Sequence, residues 1–178
     1  MKRTRKRKSD NPFSIHFGQP TKQFIGRSQT LDTFLNDLYD ANGQSRNSII
    51  TGLRGVGKTT FLNHVQDELA NDPEWIVVSV HSTHNLLENI TDRLHDEIER
   101  KTKESNVKLT SAEINILTAL TLSFSEPEDN KEYGFQTSLI RDMRQLNKLD
   151  MTVAFLIDEV ENTPEMREFA ATYSLLVR

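Results

Sequence analysis

Apolar residues recur at two different periods along the chain, and the switching between them sets out a sequence of helices and strands. Leu31, Phe34, Leu35, Leu38 and Tyr39 fall at helical spacing, with Ser28 placed as an N-cap and Asn42-Gly43 as the stop. Ser48 to Thr51 is a short β-branched run that reads as a strand. Helical spacing returns with Phe61, Leu62, Val65 and Leu69. Asn71-Asp72-Pro73 breaks the chain, and Trp75 to Val80 reads as a buried strand. Over 85–103, Leu86, Ile90, Leu94 and Ile98 stand four apart, which predicts a long helix, and Asn85 with Glu88 resembles a capping box. Ile114, Ile116, Leu120, Leu122 and Phe124 alternate with mostly polar neighbours, a half-buried strand by period. A helix then follows through Phe135, Leu139, Ile140, Met143 and Leu146, with Arg141, Arg144 and Lys148 as solvated charge on or near its other face. Val153 to Ile157 is continuously apolar, as in a strand covered on both faces of a parallel sheet. Thr163-Pro164 opens a last helix whose inner face is Met166, Phe169, Ala170 and Tyr173. Strands alternating with helices predict an α/β fold.

Composition narrows the class. A chain of 178 residues is long enough for one core. No apolar run approaches the ~20 residues of a membrane span, and no apolar stretch follows the basic start as a secretory signal would require. The chain has no cysteine, which excludes disulfides, thiolate metal sites and cysteine nucleophiles. These features predict a cytoplasmic protein with no membrane partner. The net charge of −4 hides an asymmetry: six of the 22 bases lie in Met1 to Lys8, where there is no acid, leaving 16 bases against 26 acids in the rest. The segment Lys2–Lys8 is therefore read either as a solvated terminus or as a DNA-binding arm acting by phosphate neutralisation. Residues 1–19 are expected to form a disordered basic arm and linker, and residues 20–178 the folded part.

Chemistry concentrates at Gly52-Leu53-Arg54-Gly55-Val56-Gly57-Lys58-Thr59, followed by Thr60. This run fits G-x-x-x-x-G-K-[ST] at every fixed position, between an expected strand and an expected helix. Its four fixed positions should arise by chance in roughly 1% or fewer of chains this long. Glycines let successive backbone N–H groups converge on a phosphate at a helix N-terminus. Lys58 is placed to reach the β- and γ-phosphates, and the Thr59 hydroxyl to ligate Mg²⁺. About a hundred residues later a strand ends in Asp158-Glu159, where open α/β sheets bind ligands. Asp158 can hold Mg²⁺ through water, and Glu159 can orient and deprotonate an attacking water. His81 and His84 have no companion ligands at useful spacing and read as a polar turn.

Together the two motifs look like the Walker A and Walker B of P-loop ATPases. Phe24-Ile25-Gly26-Arg27, an amphipathic helix and then Gly-Leu-Arg-Gly-Val-Gly-Lys-Thr resemble AAA+ ATPases of the replication-initiator (origin recognition) type and archaeal-type STAND ATPases. The resemblance covers roughly residues 20–178 and leaves 105–134 unmatched. It implies a three-layer P-loop NTPase sheet with helices on both faces, ATP as ligand, and Ile25 and Gly26 as base contacts. Ser28 and Gln29 stand where the family usually has acidic residues. The family's sheet order is 5-1-4-3-2, and its members continue past a Walker B strand and helix into further strands and a lid. On that pattern the chain is expected to be the N-terminal part of an ATPase, lacking the strand between those of Walker A and Walker B, with no arginine finger or second sensor assignable.

Three functions compete on these grounds: an ATPase switch in a larger assembly, a module that holds ATP and hydrolyses it slowly, and a DNA-binding protein acting through the arm. Self-association or an assembly partner follows from the first.

Overall fold

A computed structural model describes residues 27–40, 43–82, 84–103, 115, 116, 119 and 131–176. The chain divides into two compact units, Met1–Val65 and Gln66–Arg178. Helix α2 runs across the division.

In the first unit, α1 spans Ser28–Tyr39 and buries Leu31 and Leu38. The residue preceding it, Arg27, occupies the cap position and its carbonyl accepts from Leu31 N–H at 3.0 Å, so Ser28 is the first helical residue rather than the cap. After α1 the chain returns through a short 3₁₀ turn, Gln44–Arg46. Gly43 is required there by proximity: a Cβ at this position would lie 1.7 Å from the Asp37 carbonyl oxygen. That close approach lets the Asp37 carboxylate accept the Ser45 N–H. Bonds from Ser45 hold the Asp37 carboxyl below its ordinary pKa.

The run Ser48 to Thr51 is not a strand. No ladder partner pairs with it among the described residues, and Ile49 and Leu53 are 85% and 83% exposed. A β-branched run has the local preference for extended backbone, but a strand exists only once its N–H and C=O groups are paired. Helix α2, Lys58–Ala70, follows and buries Phe61, Val65 and Leu69, as its period predicts.

The second unit holds a parallel two-stranded sheet. Strand β1 is Trp75–His81 and β2 is Thr152–Asp158, with Trp75 opposite Thr152 and His81 opposite Asp158. The two strands are neighbours, as the order implied by the family resemblance requires. Between them in sequence run α3, Leu86–Lys103, and α4, Lys131–Lys148; α5, Pro164–Leu176, follows β2. Ile76, Val78 and Val80 from β1 meet Leu86, Ile90, Leu94 and Ile98 of α3, with Leu139 and Leu146 of α4 and Phe169 of α5. Burying a side chain of this kind contributes about 1.5–3 kcal/mol, so this cluster is the main stabilising feature of the unit. Val153, Phe155 and Ile157 alternate along β2 and pack on the same cluster.

Several polar groups are buried with it. The Asp142 carboxylate is fully buried, with His95 Nε2 at 3.4 Å and Arg141 Nε at 3.3 Å, which links α3 to α4. Lys101 donates from Nζ to the carbonyls of Asp72 and Pro73, at 3.0 and 2.9 Å, and so ties the end of α3 to the turn before β1. The buried residues of α5 are Phe169 and Thr172; Ala170, expected on the inner face, is exposed.

Two further expectations need correction. Asn115, Ile116 and Ala119 are helical, so the alternation over 114–124 does not mark a strand at those positions; the rest of that segment lies outside the described residues. Asn85 has φ of 61°, a left-handed backbone rather than the extended one of an ordinary N-cap. Thr163 does cap α5: its hydroxyl accepts the Met166 N–H at 3.2 Å, with Pro164 in the first helical position.

Candidate functional site

The glycine-rich loop is shaped by its own backbone. Val56 N–H donates to the Leu53 carbonyl at 3.3 Å, closing a turn with Arg54 and Gly55 at its centre. Gly55 has φ of 80°, the value a type II turn needs at its third position and one that other residues rarely adopt. Gly57 has φ of 93° and its carbonyl accepts the Phe61 N–H at 3.0 Å, so the chain passes from a left-handed residue directly into α2. Helix first turns carry N–H groups without intrahelical acceptors and the positive end of the helix dipole. A loop of this shape at the start of a 13-residue helix is suited to an anion.

Lys58 folds back over the loop. Its Nζ donates to the carbonyls of Gly52, at 2.9 Å, and Leu53, at 3.1 Å. An ammonium has three donors, so the two bonds fix the position of the charge and leave one N–H for a ligand. Thr59 and Thr60 follow in the first turn of α2 and carry hydroxyls.

Beside the loop, a pocket of about 410 Å³ is lined by Arg27, Thr30, Phe34, Ile50 and Phe61. Phe34 and Phe61 meet edge to face, with ring centres 5.5 Å apart. Its size falls within the range of small-molecule sites. The pairing of these two rings was not foreseen from the sequence, where each is only a core position on its own helix. Ile25 and Gly26, the expected base contacts, lie outside the described residues, as does the arm Lys2–Lys8. A second groove of about 530 Å³ runs along α1 beside Asp37 and Ser45; neither it nor the pocket of Phe34 and Phe61 is lined by residues 52–60.

In the second unit the end of β2 carries Asp158 and Glu159. Ser82 N–H donates to the Asp158 carbonyl at 3.0 Å, extending the β1–β2 pairing by one bond. Asp158 Oδ1 accepts the Glu159 N–H at 2.9 Å. Glu159 has φ of 55°, uncommon for a residue with a side chain, and it is exposed. The bent backbone turns the chain away from the strand at that residue, and its carboxylate has no hydrogen bond or ion pair among the described residues.

The two histidines separate. His81 stays on β1 opposite Asp158, whereas His84 Nδ1 lies 3.2 Å from Glu165 Oε1 at the start of α5. No group of three or more metal-ligating side chains occurs among the described residues. Glu165 is held below its ordinary pKa chiefly by a backbone N–H at its own position, with the His84 and Thr163 side chains adding to it. The sequence signal for this arrangement was the Thr-Pro-Glu start of a helix, where an acid in the first turn favours the dipole.

A family model described as AAA ATPase domain matches residues 23–176. The chain belongs to the AAA ATPase domain family. The match covers the loop, both strands and all five described helices. An AAA ATPase domain carries the expectation of nucleotide binding and ATPase activity, and the mixed α/β fold with its parallel strand pair agrees with that membership. No curated protein and no solved structure matches the chain. No described helix of this AAA ATPase domain is long and apolar enough to cross a membrane.

Proposed function

We propose that this AAA ATPase domain binds ATP with Mg²⁺ through residues Gly52 to Thr60. The observation that carries the reading is the conformation of the loop: positive φ at Gly55 and Gly57, and Lys58 anchored on two loop carbonyls. That arrangement supports the reading, because successive N–H groups beside a positive-φ glycine form an anion-binding concavity. The pocket of Phe34, Phe61, Ile50, Thr30 and Arg27 supplies apolar walls and donors for the base. Ile25 and Gly26 are proposed as further base contacts, from the family resemblance, and the same resemblance favours the replication-initiator and archaeal-type STAND branches.

By the family resemblance Thr59 and Asp158 are the residues that would hold Mg²⁺, and a hydroxyl and a carboxylate are each suited to a hard cation. When bound, Mg²⁺ offsets charge on the phosphate oxygens. Lys58 turns its one remaining N–H to the β/γ-phosphates, and Glu159 would accept a proton from the water that attacks the γ-phosphorus. The bond from that phosphorus to the bridging oxygen breaks, and ADP leaves with the electron pair. Hydrolysis of this kind would drive a conformational switch in an assembly that includes other copies or other proteins.

The test is multiple-turnover phosphate release by the purified chain. Activity that Glu159→Gln abolishes supports an ATPase switch. Nucleotide binding without turnover supports the second reading, a module that holds ATP. The basic run Lys2–Lys8 favours an additional contact with DNA. Its six bases allow a log–log salt slope of up to roughly −5 on duplex DNA. Deletion of residues 1–8 should flatten that dependence and leave ATP affinity unchanged.

A further inference from the structure

We infer that Arg54 is a γ-phosphate contact and makes the loop discriminate ATP from ADP. The inference rests on the nucleotide-binding reading above. Arg54 sits at the second position of the turn closed by Val56 N–H and the Leu53 carbonyl, just ahead of Gly55. Neither a hydrogen bond nor an ion pair engages it among the described residues, and it is exposed. Lys58, the other cation of the loop, is committed: two of its three donors hold the carbonyls of Gly52 and Leu53. A nucleoside triphosphate brings about four negative charges to this loop, of which a bound Mg²⁺ would offset two and the Lys58 ammonium one, leaving about one for a further cation. The guanidinium keeps its charge at any ordinary pH and offers a planar fork of donors matched to phosphate oxygens.

Position decides which phosphate it serves. In a loop that wraps a phosphate chain, the helix N-terminus after Gly57 holds the inner phosphates. Arg54 is exposed in the turn that precedes that helix, and its long side chain is assigned to the terminal phosphate, which ADP lacks. The turn tolerates other residues at this position, because the positive φ falls at Gly55. Substitution of Arg54 therefore leaves the loop conformation intact.

The experiment is a titration of the full 178-residue chain with fluorescent ATP and ADP analogues in Mg²⁺, for wild type, Arg54→Ala, Arg54→Lys and Lys58→Ala. Loss of one charge-assisted contact should weaken ATP binding by about tenfold in Arg54→Ala, with ADP affinity within about twofold and Arg54→Lys intermediate. Equal losses for ATP and ADP, or no loss for either, would overturn the role of Arg54. If Lys58→Ala also leaves both affinities unchanged, or the wild type binds neither nucleotide, the nucleotide-binding reading itself fails and this inference with it.

Discussion

Replacing Lys101 by methionine keeps the length of the side chain and removes its charge. Lys101 is 4% exposed, near the end of α3, and its Nζ donates to the carbonyls of Asp72 and Pro73. Asp72 O also accepts the Trp75 N–H at 3.2 Å, so one acceptor keeps a partner in the variant. The Pro73 carbonyl loses its bond from Lys101. Pro73 is exposed and its carbonyl can take water instead, so the loss is the net worth of hydrogen bonds from a charged donor, about 1.5–3 kcal/mol, while relief from desolvating an ammonium offsets part of that. The expected net loss is about 1–2 kcal/mol. At roughly 2–4 °C per kcal/mol for a chain of this size, Tm should fall by about 2–8 °C. The assay is thermal and urea unfolding followed by circular dichroism, with Lys103→Met as control. Lys103 is 72% exposed and pairs with Glu99 one turn away, an exposed pair whose loss should stay within about 0.5 kcal/mol. If the two variants unfold alike, Lys101 does not hold the turn before β1.

Two further outcomes follow from the start of α5. Thr163→Ala removes the hydroxyl that accepts the Met166 N–H and should cost about 0.5–2 kcal/mol in urea unfolding, whereas Thr163→Ser should recover most of it. Glu165 has a depressed carboxyl pKa in the folded chain, against an ordinary value of 4.5. Its carboxylate therefore stabilises the fold above that ordinary value, and the contribution is lost as pH falls through the lower folded value. Glu165→Gln should flatten the fall of Tm as pH drops below that ordinary value; parallel curves for wild type and variant would refute the assignment.

The parts that were legible in the sequence are those whose signals are local. The loop is specified by fixed glycines and a lysine, and the structure places those residues in one turn leading into α2. Strands β1 and β2 and helices α3 and α5 followed from period and from breakers such as Pro73 and Pro164. What failed depends on neighbours in space. Ser48 to Thr51 has strand-forming residues, but pairing is decided elsewhere in the chain. The period along 114–124 was too short to separate strand from helix, and the three described positions are helical. Thr172 is buried, donating to the Glu168 carbonyl and accepting from Gln136, and no linear pattern marks it. The buried Lys101 and Asp142 carry no sequence signal either, because partners of both come from other elements. At the site, the facing of Phe34 on Phe61 joins two helices that no linear pattern connects.

The central claim is that the loop from Gly52 to Thr60 holds the phosphates of ATP. Equilibrium binding of a fluorescent ATP analogue in Mg²⁺ to wild type and Lys58→Ala tests it most directly. Lys58 donates one remaining N–H to the phosphates, a charge-assisted contact worth about 1.5–3 kcal/mol. The account predicts a Kd about 10- to 100-fold weaker for Lys58→Ala, with unchanged circular dichroism. Equal affinity of the two proteins, or no binding by wild type, would contradict it.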